Sequence, residues 1–169
     1  VYLTRRGRRV AAVIDADVLA RLVEAAEDLE DVMAARAARA EIVTRLPTGE
    51  KVVALTLDAC EAGKVTHLDH GVADWLIANE VPFTIFMGGR FARDNAEDVA
   101  KLGALPFVEI ENHTWSHPAD MRKLSTAEVM RQVLFAGLEI GLKTGRATRF
   151  FRFPGGNADA RTIAAVEAM

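Results

Sequence analysis

Four histidines occur in the 169-residue chain, and two of them stand four residues apart in "ENHTWSHP", at His113 and His117. Two imidazoles brought together can hold a divalent metal, which acidifies a water. A nearby carboxylate can then act as base. Two further segments carry groups suited to such a site. "LTLDACEAG" (Leu55–Gly63) ends an apolar run on Asp58 and holds the lone cysteine, Cys60. "FRFPGG" (Phe151–Gly156) places Arg152 just before a proline and two glycines. A carboxylate, a histidine pair and an arginine form a working set only if the fold collects them.

The elements that would collect them follow from the apolar pattern. From Lys51 onward, the runs "KVVALTL", "VPFTIFMG", "LPFVEIEN" and "RFFRFP" alternate with amphipathic stretches. That alternation predicts parallel strands covered by helices, as in an α/β barrel or open sheet. Thr66 with Asp69, and Ser125 with Glu128, read as capping boxes, and Gly145 as a left-handed helix stop. Trp75, Phe83, Phe86 and Phe107 fall at core positions. The three polar segments then lie at strand ends, on the rim where α/β sheets bind ligands.

The first 43 residues differ in character. "VYLTRRGRRVAAVI" reads as two short strands about Gly7, followed by a helix capped by Asp15 or Asp17 and continuing to about Ala40. Residues 44–50 include Pro47 and Gly49 and read as a linker. The four arginines at 5, 6, 8 and 9 fit a solvated hairpin turn better than a DNA contact. The net charge of −3 gives no general pull toward nucleic acid or anionic lipid. One cysteine excludes an internal disulfide framework. No apolar run reaches the length of a membrane span, and no signal-peptide pattern opens the chain.

Together, "TLDA", "HTWSH" and "RFP" resemble the motifs of the polysaccharide deacetylases of the NodB-homology type, carbohydrate esterase family 4. The resemblance covers about residues 50–169. It implies an α/β fold, a distorted (β/α) barrel seen here in part, preceded by the hairpin and helical segment. It further implies metal-dependent removal of N-acetyl or O-acetyl groups from a glycan, with a divalent metal as cofactor, zinc first and cobalt or another divalent ion as alternatives. Residue by residue, it makes Asp58 the general base, His113 and His117 the metal ligands, and Arg152 the partner that holds the base. Gly155 supplies an oxyanion N–H, and Trp115 walls the site or contacts sugar. Ala59 departs from the pattern, standing where the family has a second, metal-binding aspartate. Asp69 and Glu61 are the candidate third ligands, with His70 and Cys60 also near in sequence. Asp69 is more simply a helix cap and Cys60 a small buried residue. The family's later motifs, with the general acid and acetyl pocket, are expected beyond Met169, so slow turnover and association into oligomers are anticipated.

The first 43 residues resemble part of a Phd/YefM-type (prevent-host-death) antitoxin. This supports an alternative function: a non-catalytic dimerisation or toxin-binding protein fused to an inactive deacetylase remnant. Toxin or DNA contact through that segment is not the favoured expectation. The deacetylase resemblance points to the cell envelope or secretion and the antitoxin resemblance to the cytoplasm, so localisation stays open.

Overall fold

The computed structural model describes residues 2–5, 8–12 and 48–169. The chain divides into two units, Val1–Glu41 and Ile42–Met169. In the first, β1 (Tyr2–Arg5) pairs antiparallel with β2 (Arg8–Ala12), with a register shift between Leu3 and Thr4. The hairpin matches the reading of the sequence, with bounds moved by one or two residues. The Gly7 turn, the helix expected to about Ala40 and the 44–47 part of the linker lie outside the described residues.

The second unit is an α/β layer. Its elements are β3 (Thr56–Ala59), α1 (His70–Ala78), β4 (Phe83–Met87), α2 (Gly89–Asp94), α3 (Ala96–Gly103), β5 (Val108–Asn112), α4 (Thr126–Thr144) and α5 (Ala160–Glu167). Single 3-10 turns occupy Met121–Lys123 and Pro154–Gly156. The three strands are parallel, in the order β3-β4-β5. An isolated parallel bridge, Asn112 to Phe151, extends the row by a fourth segment. Among the described residues the sheet is open, so the barrel expectation is met in part: the strands and their order are present without closure.

Strand alternation sorts the residues onto two faces. Leu57, Ala59, Phe83, Ile85, Met87, Val108 and Ile110 pack with Leu76, Phe91, Val99, Leu102 and Ile140 of the helices. Asp58, Phe86 and Glu111, paired across the strands, lie on the other face. A smaller core joins Met121, Val129 and Ala165 to Phe151 and Phe153.

Three expectations need correction. The first strand starts at Thr56 rather than Lys51. It has a neighbour on only one side among the described residues, and Val53, without a partner strand, is 92% exposed. Trp75 is not a core residue but 61% exposed, on the outer side of α1. The Thr66–Asp69 capping box is not formed. Asp69 is itself the N-cap, accepting from the Val72 N–H at 3.2 Å, and the Thr66 hydroxyl donates to the Cys60 carbonyl at 2.9 Å. The Ser125–Glu128 capping box and the left-handed Gly145 (φ 69°) stand as expected.

Candidate active site

The strand ends are level. Ala59, Met87, Asn112 and Phe151 form one row across the sheet. The next residues, Cys60, Gly88, His113 and Arg152, make the rim, on the face of Asp58 rather than that of the apolar core.

Arg152 binds two residues of β3. Its Nη1 donates to Asp58 Oδ1 at 2.6 Å and its Nη2 to Thr56 Oγ1 at 2.9 Å. The guanidinium lies over the Phe86 ring, 3.9 Å from its centroid. Phe86, read from the sequence as plain core, is thus the floor beneath this clamp. No local signal reveals that, because the stacking depends on a residue 66 positions away. The Asp58 and Arg152 side chains are both partly exposed, so a carboxylate of fixed orientation faces solvent.

The same residue orients the first histidine. The Arg152 carbonyl lies 2.9 Å from Nδ1 of His113, so Nδ1–H donates and Nε2 is left to face a ligand. His113 is 2% exposed, and its burial holds the imidazole pKa below the ordinary value, favouring the neutral ring that a metal requires.

His117 reaches His113 through a strained turn. Thr114, β-branched and fully buried, sits at φ 72°, and His117 at φ 49°. The turn is tied down at each step. The Thr114 N–H donates to Asn112 Oδ1 at 3.0 Å, and the His117 N–H to Thr114 Oγ1 at 3.1 Å. The Ser116 N–H donates to Gln132 Oε1 of α4 at 2.9 Å. Gly89 and Arg90 at the start of α2 donate to the Thr114 and Trp115 carbonyls, each at 3.0 Å. The two imidazole centroids end 5.0 Å apart. Strain held by this many bonds marks a turn built for position rather than for stability.

Among the described residues, Cys60, His113 and His117 bring one ligand atom each within 4.8 Å of one another. Burial first, and the Asp58 charge second, push the Cys60 thiol up. The residues expected as third ligands are elsewhere. Asp69 caps α1. Glu61, 5% exposed, accepts weakly from the Thr66 N–H at 3.4 Å and lines a small cleft with Arg90 and Arg93. His70 lies near Asp74 and Asp98. Trp115 packs edge-on to Phe135 of α4 and under Arg93, and its ring covers Gly89. The ring stays half-buried and lines a shallow cleft with Arg131, Gln132 and Phe135. Gly155 adopts φ 58° in the turn after Arg152, whose bonds run from the Gly156 and Asn157 N–H groups, not its own.

A family model described as polysaccharide deacetylase matches residues 45–169. The chain belongs to the polysaccharide deacetylase family. A chitooligosaccharide deacetylase of Sinorhizobium fredii is 34% identical over 115 residues, covering 68% of this chain and 51% of that one. Among solved structures, a family 4 carbohydrate esterase from Streptomyces lividans, in complex with acetate, is 27% identical, with TM-score 0.58 over 69% of this chain and 57% of that one. The peptidoglycan deacetylase PdaC from Bacillus subtilis is 23% identical, with TM-score 0.60 over 70% and 56%. The chain thus spans about half the length of the curated relative it matches. In this deacetylase-family chain the matched region holds all three polar segments, and residues 1–44 lie outside it.

Proposed function

We propose that the chain serves in metal-dependent hydrolysis of N-acetyl (or O-acetyl) groups on a glycan of the chito-oligosaccharide class. The observation that carries this reading is Arg152. Its side chain fixes Asp58 and its backbone fixes His113, joining a base and a metal-binding imidazole in one unit.

The donor set suits a divalent ion: a neutral, oriented imidazole, a second imidazole and a thiol, gathered within 4.8 Å. When bound, such an ion supplies Lewis acidity toward the acetyl carbonyl. Asp58 accepts the proton of the attacking water, and Arg152 keeps its carboxylate aimed. The Gly155 N–H takes no part in the turn's own bonds, and the family resemblance assigns it as the donor to the oxyanion. The non-catalytic antitoxin-like alternative rests on the first 43 residues, and no observation on the described hairpin favours it.

The test is acetate release from N-acetylated chito-oligosaccharides by the full chain supplied with zinc, over long incubation. Slow release that Asp58→Asn lowers by ~10²–10⁴-fold is expected. Release undiminished in Asp58→Asn, or identical with and without chelator, would overturn the reading.

A further inference from the structure

Where the family pattern has a second aspartate, this chain has Ala59, and the side chain of Ala59 packs against the helix-facing core. A residue one position on returns to the face of Asp58. That residue is Cys60. Across the rim its neighbour is Gly88, and beyond Gly88 is His113. A Cβ added at Gly88 would come 3.5 Å from both Cα and Cβ of Cys60 and 3.6 Å from the Thr114 carbonyl oxygen, so the glycine puts no side chain of its own beside Cys60. Cys60 is also held: its carbonyl accepts from the Thr66 hydroxyl, and the preceding Ala59 carbonyl accepts from the Gly88 N–H at 2.8 Å.

We infer that Cys60 is the third protein ligand of the metal site, giving two imidazoles and one thiolate in place of two imidazoles and a carboxylate. This rests on the proposed metal site and specifies its chemistry. The thiol proton leaves to solvent as the sulfur binds the ion. A soft sulfur with two nitrogens selects zinc or cobalt and disfavours magnesium, calcium and manganese, which prefer oxygen. It also makes the site sensitive to oxidants, because a sulfenic acid is no longer a thiolate ligand.

Cobalt(II) titration of the full chain, followed by absorption, tests this. Cobalt should show visible ligand-field bands together with a near-ultraviolet thiolate-to-cobalt charge-transfer band. Cys60→Ala should lose the charge-transfer band and weaken cobalt binding at least ~10-fold, keeping ligand-field bands at high cobalt. His117→Ala should weaken both. Ligand-field bands that depend on His117 but come without charge transfer would overturn the Cys60 assignment and leave the histidine site standing. No specific cobalt bands at all would overturn both. A second measurement needs no variant: saturating zinc should slow alkylation of Cys60 at least ~10-fold. An unchanged alkylation rate would likewise remove Cys60 from the site.

Discussion

Gly89→Ala and Gly141→Ala make the same chemical change and should move stability in opposite directions. A Cβ at Gly89 would lie 2.9 Å from the Cα of Ala136 and closer still to the Trp115 ring edge. Ala136 is backbone in the 19-residue α4 and cannot yield. Trp115 can yield only by carrying the turn with it, since the Gly89 and Arg90 N–H groups hold the Thr114 and Trp115 carbonyls. Overpacking of this kind costs about 1–3 kcal/mol, more than the ~0.5–1 kcal/mol that alanine gains over glycine within a helix. At Gly141, inside α4, the nearest atom is the Arg146 carbonyl oxygen at 3.6 Å, an ordinary contact. There the helix gain of ~0.5–1 kcal/mol should appear almost whole. Urea unfolding read by circular dichroism gives both differences, and the emission of Trp115 reports the local shift. Cobalt titration should show Gly89→Ala weakened, because the displaced turn carries His117, and Gly141→Ala unchanged. Gly89→Ala as stable as the native chain, with full metal affinity, would refute the claim that the turn is clamped against α2 and α4.

Three further outcomes follow from other contacts. Glu111, 1% exposed, accepts the Arg149 and Phe150 N–H groups at 2.6 and 2.7 Å, yet burial pushes its carboxyl up to about 7. Because the folded pKa lies above the unfolded one, this group's contribution is fullest below pH ~4.5 and is lost as pH rises through 7. Glu111→Gln should therefore flatten the pH dependence of stability between pH 5 and 8, removing a fall of up to ~3 kcal/mol. Urea midpoints across that range check it. Thr114→Val leaves the His117 N–H without its acceptor and should cost about 1–3 kcal/mol in the same assay, with weaker cobalt binding. Ser125→Ala removes the Oγ that accepts from the Glu128 N–H, and should cost ~1 kcal/mol with cobalt affinity unchanged.

Much of the scaffold was legible because it obeys local rules. Two of the four apolar runs hold β4 and β5, the first overlaps β3 only at its end, and the last carries the Phe151 bridge. The Ser125 cap and the Gly145 stop mark the bounds of α4. The chemistry of Asp58, His113, His117 and Arg152 could be singled out because each follows an apolar strand, and strand ends share a rim. What was misread depends on which side of a strand a residue takes once neighbours are fixed. Asp69 and Glu61 carry the right chemistry, but one is used up by a helix start and the other faces Thr66. Cys60, a small and half-buried residue, stands two positions from Asp58 and so shares its face. That spacing was visible in the sequence; its meaning required the register of β3 against β4. Trp75 failed as a core residue because α1 is buried chiefly through Ala73 and Leu76, leaving its far side to solvent.

Arg152 acts through two parts that respond differently to change. The guanidinium reaches Asp58 and Thr56, whereas the carbonyl reaches His113, and only the first can be removed by substitution. Truncating the side chain severs the hold on Asp58 and leaves the His113 imidazole as it was. Moving the backbone disturbs both at once. The segment that carries it is joined to β5 by the bonds around Asn112 and Phe151 and by the Glu111 carboxylate. Small displacements of that short seam therefore act as a common-mode error: the Asp58 carboxylate and the His113 ring lose their orientation together, a coupling that side-chain scanning at position 152 cannot detect.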